Sequence, residues 1–431
     1  MRVLVVGGYG LIGLEVVRAL RADGHDVVGL ARVANRGRRL CPGIPWIGAD
    51  LRRMLRPGDW TAALSEIDAV VNASGALQDG SRDDLALVQD KSIRALVSEC
   101  ERRGMRQFVQ ISAPGAEPGG KTAFLYTKAA ADEALRQSRL DWTILKPGLV
   151  IGVGAYGGTT LLRMLAATPF VQPLVLAEAK IQTVACRDVA EAVCAVLAGK
   201  VASKQDYDLV EDEAHTLADI VTAMRRWVGR DDALYVWRLP KWIGFKLARL
   251  ADLAGWFGWR SPLRTTALKA LARNVTGDPA PWREAGGLRL TPLEETLEAM
   301  PATMQERVFG RVQLVFPFLV VTLAAFWLAS GIIGVVERDQ AAALIADKTG
   351  PEAAIYLAVL GAALDIWIGW MVLWRRWTRF ATWWSIAVSI GYLVGGTILL
   401  PQMWADPLGA FVKVFPAMAL ALAVAALVEE R

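Results

Sequence analysis

Gly7, Gly10 and Gly13 stand three residues apart in GGYGLIG, between the apolar run VLVV (3–6) and the helical stretch LEVVRAL. Small residues at a strand-to-helix turn let the backbone approach a pyrophosphate, and a helix start offers free N–H groups and the positive end of its dipole. A lone glycine pattern is weak, but its position in a strand–turn–helix unit makes it a dinucleotide site, with Gly7, Gly10, Leu11, Ile12 and Gly13 at the phosphates. The plain alternative is a structural glycine turn. The next strand-like run, DVVGLA (26–31), is followed by Arg32 where an acid would bind the ribose 2′-hydroxyl of NAD. Arg32, with Arg36 nearby, suits a 2′-phosphate instead, so NADP(H) is expected over NAD(H) unless both are merely surface arginines. IGADL (47–51) brings Asp50 and Leu51 to the adenine. VVNASG (70–75) ends a strand in Ala73, Ser74 and Gly75, small enough to let the cofactor pass.

A second cluster follows. FVQISAP (108–114) reads as a strand ending near Ser112, and FLYTK (124–128) opens a helix with Lys128. Phe124, four residues before Lys128, has no hydroxyl. Tyr126 does not replace it, because a residue two places away on a helix is rotated by about 200°. Between them, GAEPGGKT (115–122) fits the phosphate-loop expression G-x-x-x-x-G-K-[ST]. It lies late in a sheet that already has a nucleotide turn, and no later strand ends in an Asp for a metal. A loop ahead of the Lys128 helix is the expected role.

The elements that must position these residues are legible as alternation. VLVV, DVVGLA, DAVVNAS (68–74), FVQIS (108–112) and WTILKP (142–147) read as strands, with LEVVRALRA and KSIRALVSECERRG as helices between them. This is the pattern of an α/β, Rossmann-type doubly wound parallel sheet over residues 1–230. The chain of 431 residues is 54% hydrophobic, which is high for a purely soluble protein. Two His exclude a His-rich metal centre, and four scattered Cys without a CxxC pair fit a reduced compartment. The first strand begins at residue 1 with no secretory signal before it, so this part is expected in the cytoplasm.

Residues 231–311 are basic and Trp-rich. Arg238 to Arg273 holds eight Lys/Arg against one acid, Asp252. LPKWIGFKLARLADLAGWFGW has the spacing of an amphipathic helix and suits an anionic bilayer surface, or else a solvated helix packed on the sheet domain. Beyond it lie four apolar runs, 312–336, 353–374, 380–400 and 407–428, each about the length needed to cross a bilayer. They form an expected all-α, four-helix transmembrane domain over 312–431. Arg375, Arg376 and Arg379 mark one loop as cytoplasmic, which puts both termini there too. The lipid bilayer is therefore an expected partner and nucleic acid is not. The runs contain two charges, Asp365 and Lys413. Asp365 is expected to point inward, as a neutral acid bonded to a neighbouring helix, in a proton or quinone-headgroup role, or paired with Lys413.

Over roughly residues 1–300, GGYGLIG, FVQISA, FLYTK, WTILKPGLVIG and IQTVACRDVAEAV resemble an atypical or extended short-chain dehydrogenase/reductase. The likeness is to the branch with NmrA-like proteins and the Rossmann accessory subunit of respiratory complex I. That branch often has Arg-Pro where Lys146-Pro147 stands. FWLASGIIG, the Asp365 helix and LPQMWADPLGAFVKVFP resemble a DoxX-like membrane domain. The resemblance implies that Ser112 is the strand-end catalytic serine, that Lys128 holds the nicotinamide ribose, and that Phe124 occupies the place of the acid tyrosine. Three readings follow. One is a reductase of a lipophilic, quinone-like substrate in a bacterial-type inner membrane. Another is a non-catalytic NADP(H)-binding accessory or sensor module of a membrane protein complex. A third is a redox or transport role for the membrane domain, regulated by the Rossmann domain.

Overall fold

The computed structural model describes residues 1–75, 84–120, 122–259 and 261–428. Seven strands form one parallel sheet. They are β1 (Arg2–Val6), β2 (Asp26–Ala31), β3 (Trp46–Gly48), β4 (Ala69–Asn72), β5 (Gln107–Ile111), β6 (Asp141–Pro147) and the strand Gln205–Leu209. Their order across the sheet is Gln205–Leu209, β6, β5, β4, β1, β2, β3. The central β1 pairs with β2 on one side and β4 on the other, Val3 facing both Val27 and Ala69.

A strand covered on both faces reads as one apolar run. In β1, Val3 and Val5 enter one core, Leu4 and Val6 the other, and all four are fully buried. α1 (Leu11–Ala22) covers the first face with Val16, Val17 and Leu20. α2 (Ala34–Leu40) lies beyond β2. α3 (Ser92–Arg102) and α4 (Ala123–Arg136) cover the second face with Ile93, Leu96, Ala131 and Leu135. The five strands read from the sequence are present. β3 and the strand Gln205–Leu209 were not anticipated, being a three-residue piece and a polar edge strand, QDYDL.

The chain forms two compact units, residues 1–252 with 261–307, and 253–260 with 308–431. In the first, residues beyond the sheet build a third core. There the strands Val171–Val175 and Tyr235–Leu239 pair in parallel beside the helices Gly158–Ala167 and Leu217–Trp227. Trp282 is fully buried in the core that also holds Val3, its ring edge-on to Tyr207 at 5.5 Å between centroids. The amphipathic stretch is a helix, α5 (Lys241–Trp256), with Trp242, Leu247 and Leu250 exposed.

The second unit is helical. α6 (Met304–Val336), α7 (Pro351–Leu373) and α8 (Thr378–Leu399) are each long and apolar enough to cross a membrane. Of the fourth expected span, 407–428, only α9 (Val414–Leu427) is helical, apolar but 14 residues long, and Pro401–Ala405 before the span makes a 3₁₀ turn. Pro407 and Gly409 keep the first part of the span out of the helix, and 14 residues reach only about 21 Å. The stretch 337–352 between the first two apolar runs is largely a helix, Arg338–Thr349. α6 and α7 approach closely at Gly331, where a Cβ would sit 2.6 Å from the Ala362 carbonyl oxygen, the small-residue contact usual between membrane helices.

Candidate functional site

The carboxyl ends of β1, β2, β4 and β5 gather the residues singled out above. After β1 the chain turns at Gly7, whose φ of +78° lies in the left-handed region. A Cβ there would meet the Ser74 backbone at 2.8 Å, and one on Gly13 would fall 2.3 Å from the Gly7 carbonyl oxygen. Gly7 and Gly13 thus allow the turn, the Ser74 strand end and α1 to crowd together. The Gly10 N–H donates to Gly7 O at 2.8 Å, and the first intrahelical bond runs from Leu14 N–H to Gly10 O at 3.0 Å. The amides of Leu11, Ile12 and Gly13 precede it at the helix start, where they and the dipole fit a phosphate.

Arg32 and Arg36 are exposed beyond β2. The Arg36 guanidinium lies over the Tyr9 ring at 5.5 Å, a cation–π contact that leans it toward the glycine turn. Asp50 is engaged by Arg52, with Arg52 Nη2 at 2.6 Å from Oδ2 and Nε at 3.1 Å from both oxygens. That bond holds its carboxyl below the usual carboxylate value, with Arg32 adding a weaker pull. Leu51 beside it is buried. Ala73 continues β4 by donating to Val6 O at 2.9 Å, and the Ser74 hydroxyl donates to Asn72 Oδ1 at 2.5 Å. Gly75 ends this described segment; a Cβ on it would lie 3.5 Å from Lys128 Nζ.

Lys128 enters from α4 and is buried. Its ammonium donates to Ile111 O at 2.7 Å and Ser74 O at 3.2 Å, tying the ends of β5 and β4 together. Desolvation pushes its pKa down to about 8, while the charge of Asp132 resists the shift. Ser112 is buried, and its hydroxyl donates to the Asp132 carboxyl one helical turn beyond Lys128. Burial raises the Asp132 carboxyl above its usual value, and the bonds from Ser112 and Lys128's charge only moderate this. Phe124 is half-buried and Tyr126 is 57% exposed. The arrangement therefore offers a cation and a cofactor cradle, but no hydroxyl at the tyrosine place, and its serine is committed to Asp132.

Asp132 was missed in the sequence, although it stands four residues after Lys128 and so on the same helical face. Gln89 was missed too. It sits in a π-helical segment, Ala86–Lys91, and accepts from Thr127 Oγ1 at 2.9 Å. Such segments recur at functional sites. In the phosphate-loop match, Lys121 lies outside the described residues. Thr122 caps α4, accepting from Leu125 N–H at 3.2 Å. Lys146 pairs with Asp206 at 2.7 Å.

Residues 7–200 match the NAD(P)H-binding family, and residues 324–422 the DoxX-like family. The UPF0659 protein YMR090W of Saccharomyces cerevisiae is 30% identical over 159 residues, 34% of this chain and 69% of that one. This chain belongs to the NAD(P)H-binding family. A DoxX-like domain follows the Rossmann domain. The photosystem II assembly factor Ycf39 of Synechocystis is 33% identical over 149 residues, 34% of this chain but only 44% of that protein. The NAD(P)H azoreductase of Xenophilus azovorans is 27% identical over 233 residues, 53% of this chain and 74% of the relative. Among solved structures, Thermus thermophilus UDP-glucose 4-epimerase in complex with NAD aligns at a TM-score of 0.53 and 22% identity. It covers 69% of this chain and 98% of that one, a likeness of fold. The chain thus joins an NAD(P)H-binding domain to a DoxX-like domain whose long helices are apolar enough to cross a membrane.

In the DoxX-like unit, Asp365 is buried on α7. It accepts from Ser330 Oγ on α6 and Tyr392 OH on α8, each at 2.7 Å. Lys413 is exposed and is not among these partners.

Proposed function

We propose that this protein is a membrane-tethered, NADP(H)-dependent reductase of lipophilic, quinone-like acceptors. The carrying observation is the proton chemistry at α4. Phe124 has no proton to give, and the Ser112 hydroxyl is held by Asp132. When bound, the nicotinamide supplies a hydride. An ordinary ketone that accepts it becomes a strongly basic alkoxide and needs a positioned acid. A quinone becomes a phenolate-like anion, and phenols ionise near pKa ~10, so water suffices to protonate it. Lys128, beside Gly75, contributes positive charge where the anion develops. The relative named as an NAD(P)H azoreductase supports a reductase that uses this cofactor. Arg32 and Arg36 beyond β2 support the phosphorylated cofactor, with Asp50 and Leu51 on the adenine side. The Arg375–Arg379 loop supports a multi-pass protein of a bacterial-type plasma membrane with the N-terminal nucleotide unit in the cytoplasm; the short α9 leaves the expected cytoplasmic C-terminus without a full fourth span.

The Ser112–Asp132 bond also favours a second reading, a non-catalytic NADP(H)-binding module of a membrane complex, and the relative named as an assembly factor points the same way. The test uses the detergent-solubilised full chain. NADPH oxidation is followed with a short-chain quinone and with a matched ketone. Quinone turnover that falls with Lys128→Ala supports the reductase. NADPH binding without turnover on either acceptor replaces it with the accessory reading.

A further inference from the structure

The third core of the first unit carries a surface that the fold leaves without a cover. Its two strands pair in parallel, Tyr235 opposite Val171, Trp237 opposite Pro173 and Leu239 opposite Val175. Side chains alternate along a strand, so these residues share one face, and Leu174 and Val236 share the other. Leu174 is buried in the third core and Val236 packs against it, so the face with Tyr235 and Trp237 looks outward. α5 covers its Val175 end, where a Cβ on Gly244 would lie 2.6 Å from Val175 Cγ1. The opposite end is bare. Leu234 N–H donates to Phe170 O at 3.1 Å, and these two side chains are 84% and 69% exposed, with Tyr235 at 64% and Trp237 at 53%. Parallel strands are ordinarily covered on both faces, and a contiguous exposed apolar patch marks a place of contact.

α5 extends this surface with its large side turned out. At about 100° per residue, Trp242, Lys246, Arg249 and Leu250 fall within about 100° of arc, and Gly244 and Ala248 lie on the far side. The two small residues are the buried ones, whereas Trp242, Lys246, Arg249 and Leu250 are all exposed. A helix that only packed on the sheet domain would turn its large apolar residues inward. Lys241 to Leu250 contains three Lys/Arg and no acid, and the Lys246 ammonium lies over the Trp242 ring at 5.0 Å. The next acid, Asp252, stands off this arc and accepts from Arg264 Nε at 3.0 Å and Thr265 Oγ1 at 2.7 Å. Two acids flanking the strands, Glu178 and Asp232, pair with Arg238 and Arg226.

This mixture of rings, leucines and cations selects its occupant. The core of a protein interface is depleted in lysine and other charges. The interface of an anionic bilayer takes both kinds of residue. Phe and Leu enter the acyl boundary, Trp and Tyr hold their polar edges at the headgroups, and Lys and Arg reach lipid phosphates along their apolar stems. The same chain carries three helices long and apolar enough to cross a membrane, which keeps a bilayer within reach.

We propose that the bare end of the two strands, with Phe170, Leu234, Tyr235 and Trp237, and the outer side of α5, from Trp242 to Leu250, form one surface that docks the nucleotide unit on an anionic bilayer. The strand end supplies the apolar anchor and α5 supplies the charge. The docking holds whether the nucleotide site reduces a substrate or only binds its cofactor, so it stands apart from the reductase reading.

The test places the full chain in lipid nanodiscs, one chain per disc, made of phosphatidylcholine alone or with a quarter phosphatidylglycerol. Leu234→Cys and Leu250→Cys each carry a small thiol-linked fluorophore, and the quencher is phosphatidylcholine with a nitroxide near its headgroup. The wild type, whose cysteines are buried or half-buried, is treated in the same way and gives the background. Emission at both positions should fall at least about twofold with the quencher, and further when phosphatidylglycerol is present. Lys246→Glu combined with Arg249→Glu, both exposed, should abolish the response to phosphatidylglycerol with melting unchanged. A label at Leu234 or Leu250 that the nitroxide lipid does not quench overturns the single surface, whether water or protein covers that position. Quenching that is equal in the two lipids overturns the anionic partner.

Discussion

The two ends of the nucleotide site are built from different materials. At the proposed phosphate end the groups on offer are backbone amides, placed by Gly7, Gly10 and Gly13 and by the packing of α1 on β1. At the α4 end they are side chains, and here the pattern is altered: Phe124 stands where a hydroxyl is expected, and Ser112 has turned to Asp132. A backbone cradle is part of the fold and cannot be lost without disturbing two cores. A side-chain acid can be exchanged for an aromatic ring on a half-buried helix position with the helix intact. Affinity and chemistry are thus separable in this protein.

The severest break is at the phosphate end. Gly13→Val puts side-chain atoms where even a Cβ would lie 2.3 Å from the Gly7 carbonyl. NADPH affinity measured by calorimetry should fall by more than ~1,000-fold, about 4 kcal/mol. Binding at the wild-type level would show that the cradle lies elsewhere.

Lys128 comes next, and its effect depends on pH. The ordinary value of its ammonium is 10.5 and burial lowers it to about 8. Between these values the unfolded chain binds more protons than the folded one, so unfolding free energy rises with pH across that window. Below about pH 8 the cost of burying the charge is present in full, on the order of 3 kcal/mol. Lys128→Met should flatten the rise in chemical melts between pH 8 and 10.5. A wild-type slope retained by the variant assigns it to another group.

Arg32→Asp is expected to act on cofactor choice alone. It exchanges a phosphate partner for a repelling charge, and charge-assisted bonds contribute about 1.5–3 kcal/mol. NADPH affinity should fall at least ~10-fold and NADH affinity should not. Equal affinity of the wild type for the two cofactors would remove Arg32 from the site. Phe124→Tyr should do least. Nucleotide affinity should stay within about threefold, under roughly 0.7 kcal/mol, since the cradle is untouched. A larger change would mean the two ends are coupled after all.

The sheet and the cradle were legible because both leave local marks: apolar runs bounded by turns, and glycines at fixed spacing before a helix. What escaped depends on distant neighbours. β3 is three residues whose Trp46 is buried only because Gly29 and Gly37 leave room for its ring. Asp132 reads as an ordinary helix acid until Ser112 is brought to it from β5. The same holds for Trp282, which looks like part of a basic, Trp-rich tract and is buried beside the sheet core. Among the apolar runs, hydropathy alone could not see that Pro407 and Gly409 would shorten the last helix. Asp365 was legible as an inward acid, whereas its partners Ser330 and Tyr392 come from helices 35 residues before it and 27 after it.

The path of the chain between its two units has a consequence for how it is made and cut. Residues 253–260 belong with 308–431, while 261–307 return to the nucleotide unit. Trp259 donates to Leu373 O at 2.6 Å, and its ring faces Phe316. On the ribosome, this segment emerges more than a hundred residues ahead of the Leu373 carbonyl it will hold. It must wait for that carbonyl through the synthesis of two long helices. A protease or a gene truncation acting near residue 307 would not release two whole parts: the N-terminal fragment would carry away an aromatic plug, and the C-terminal fragment would keep the vacancy.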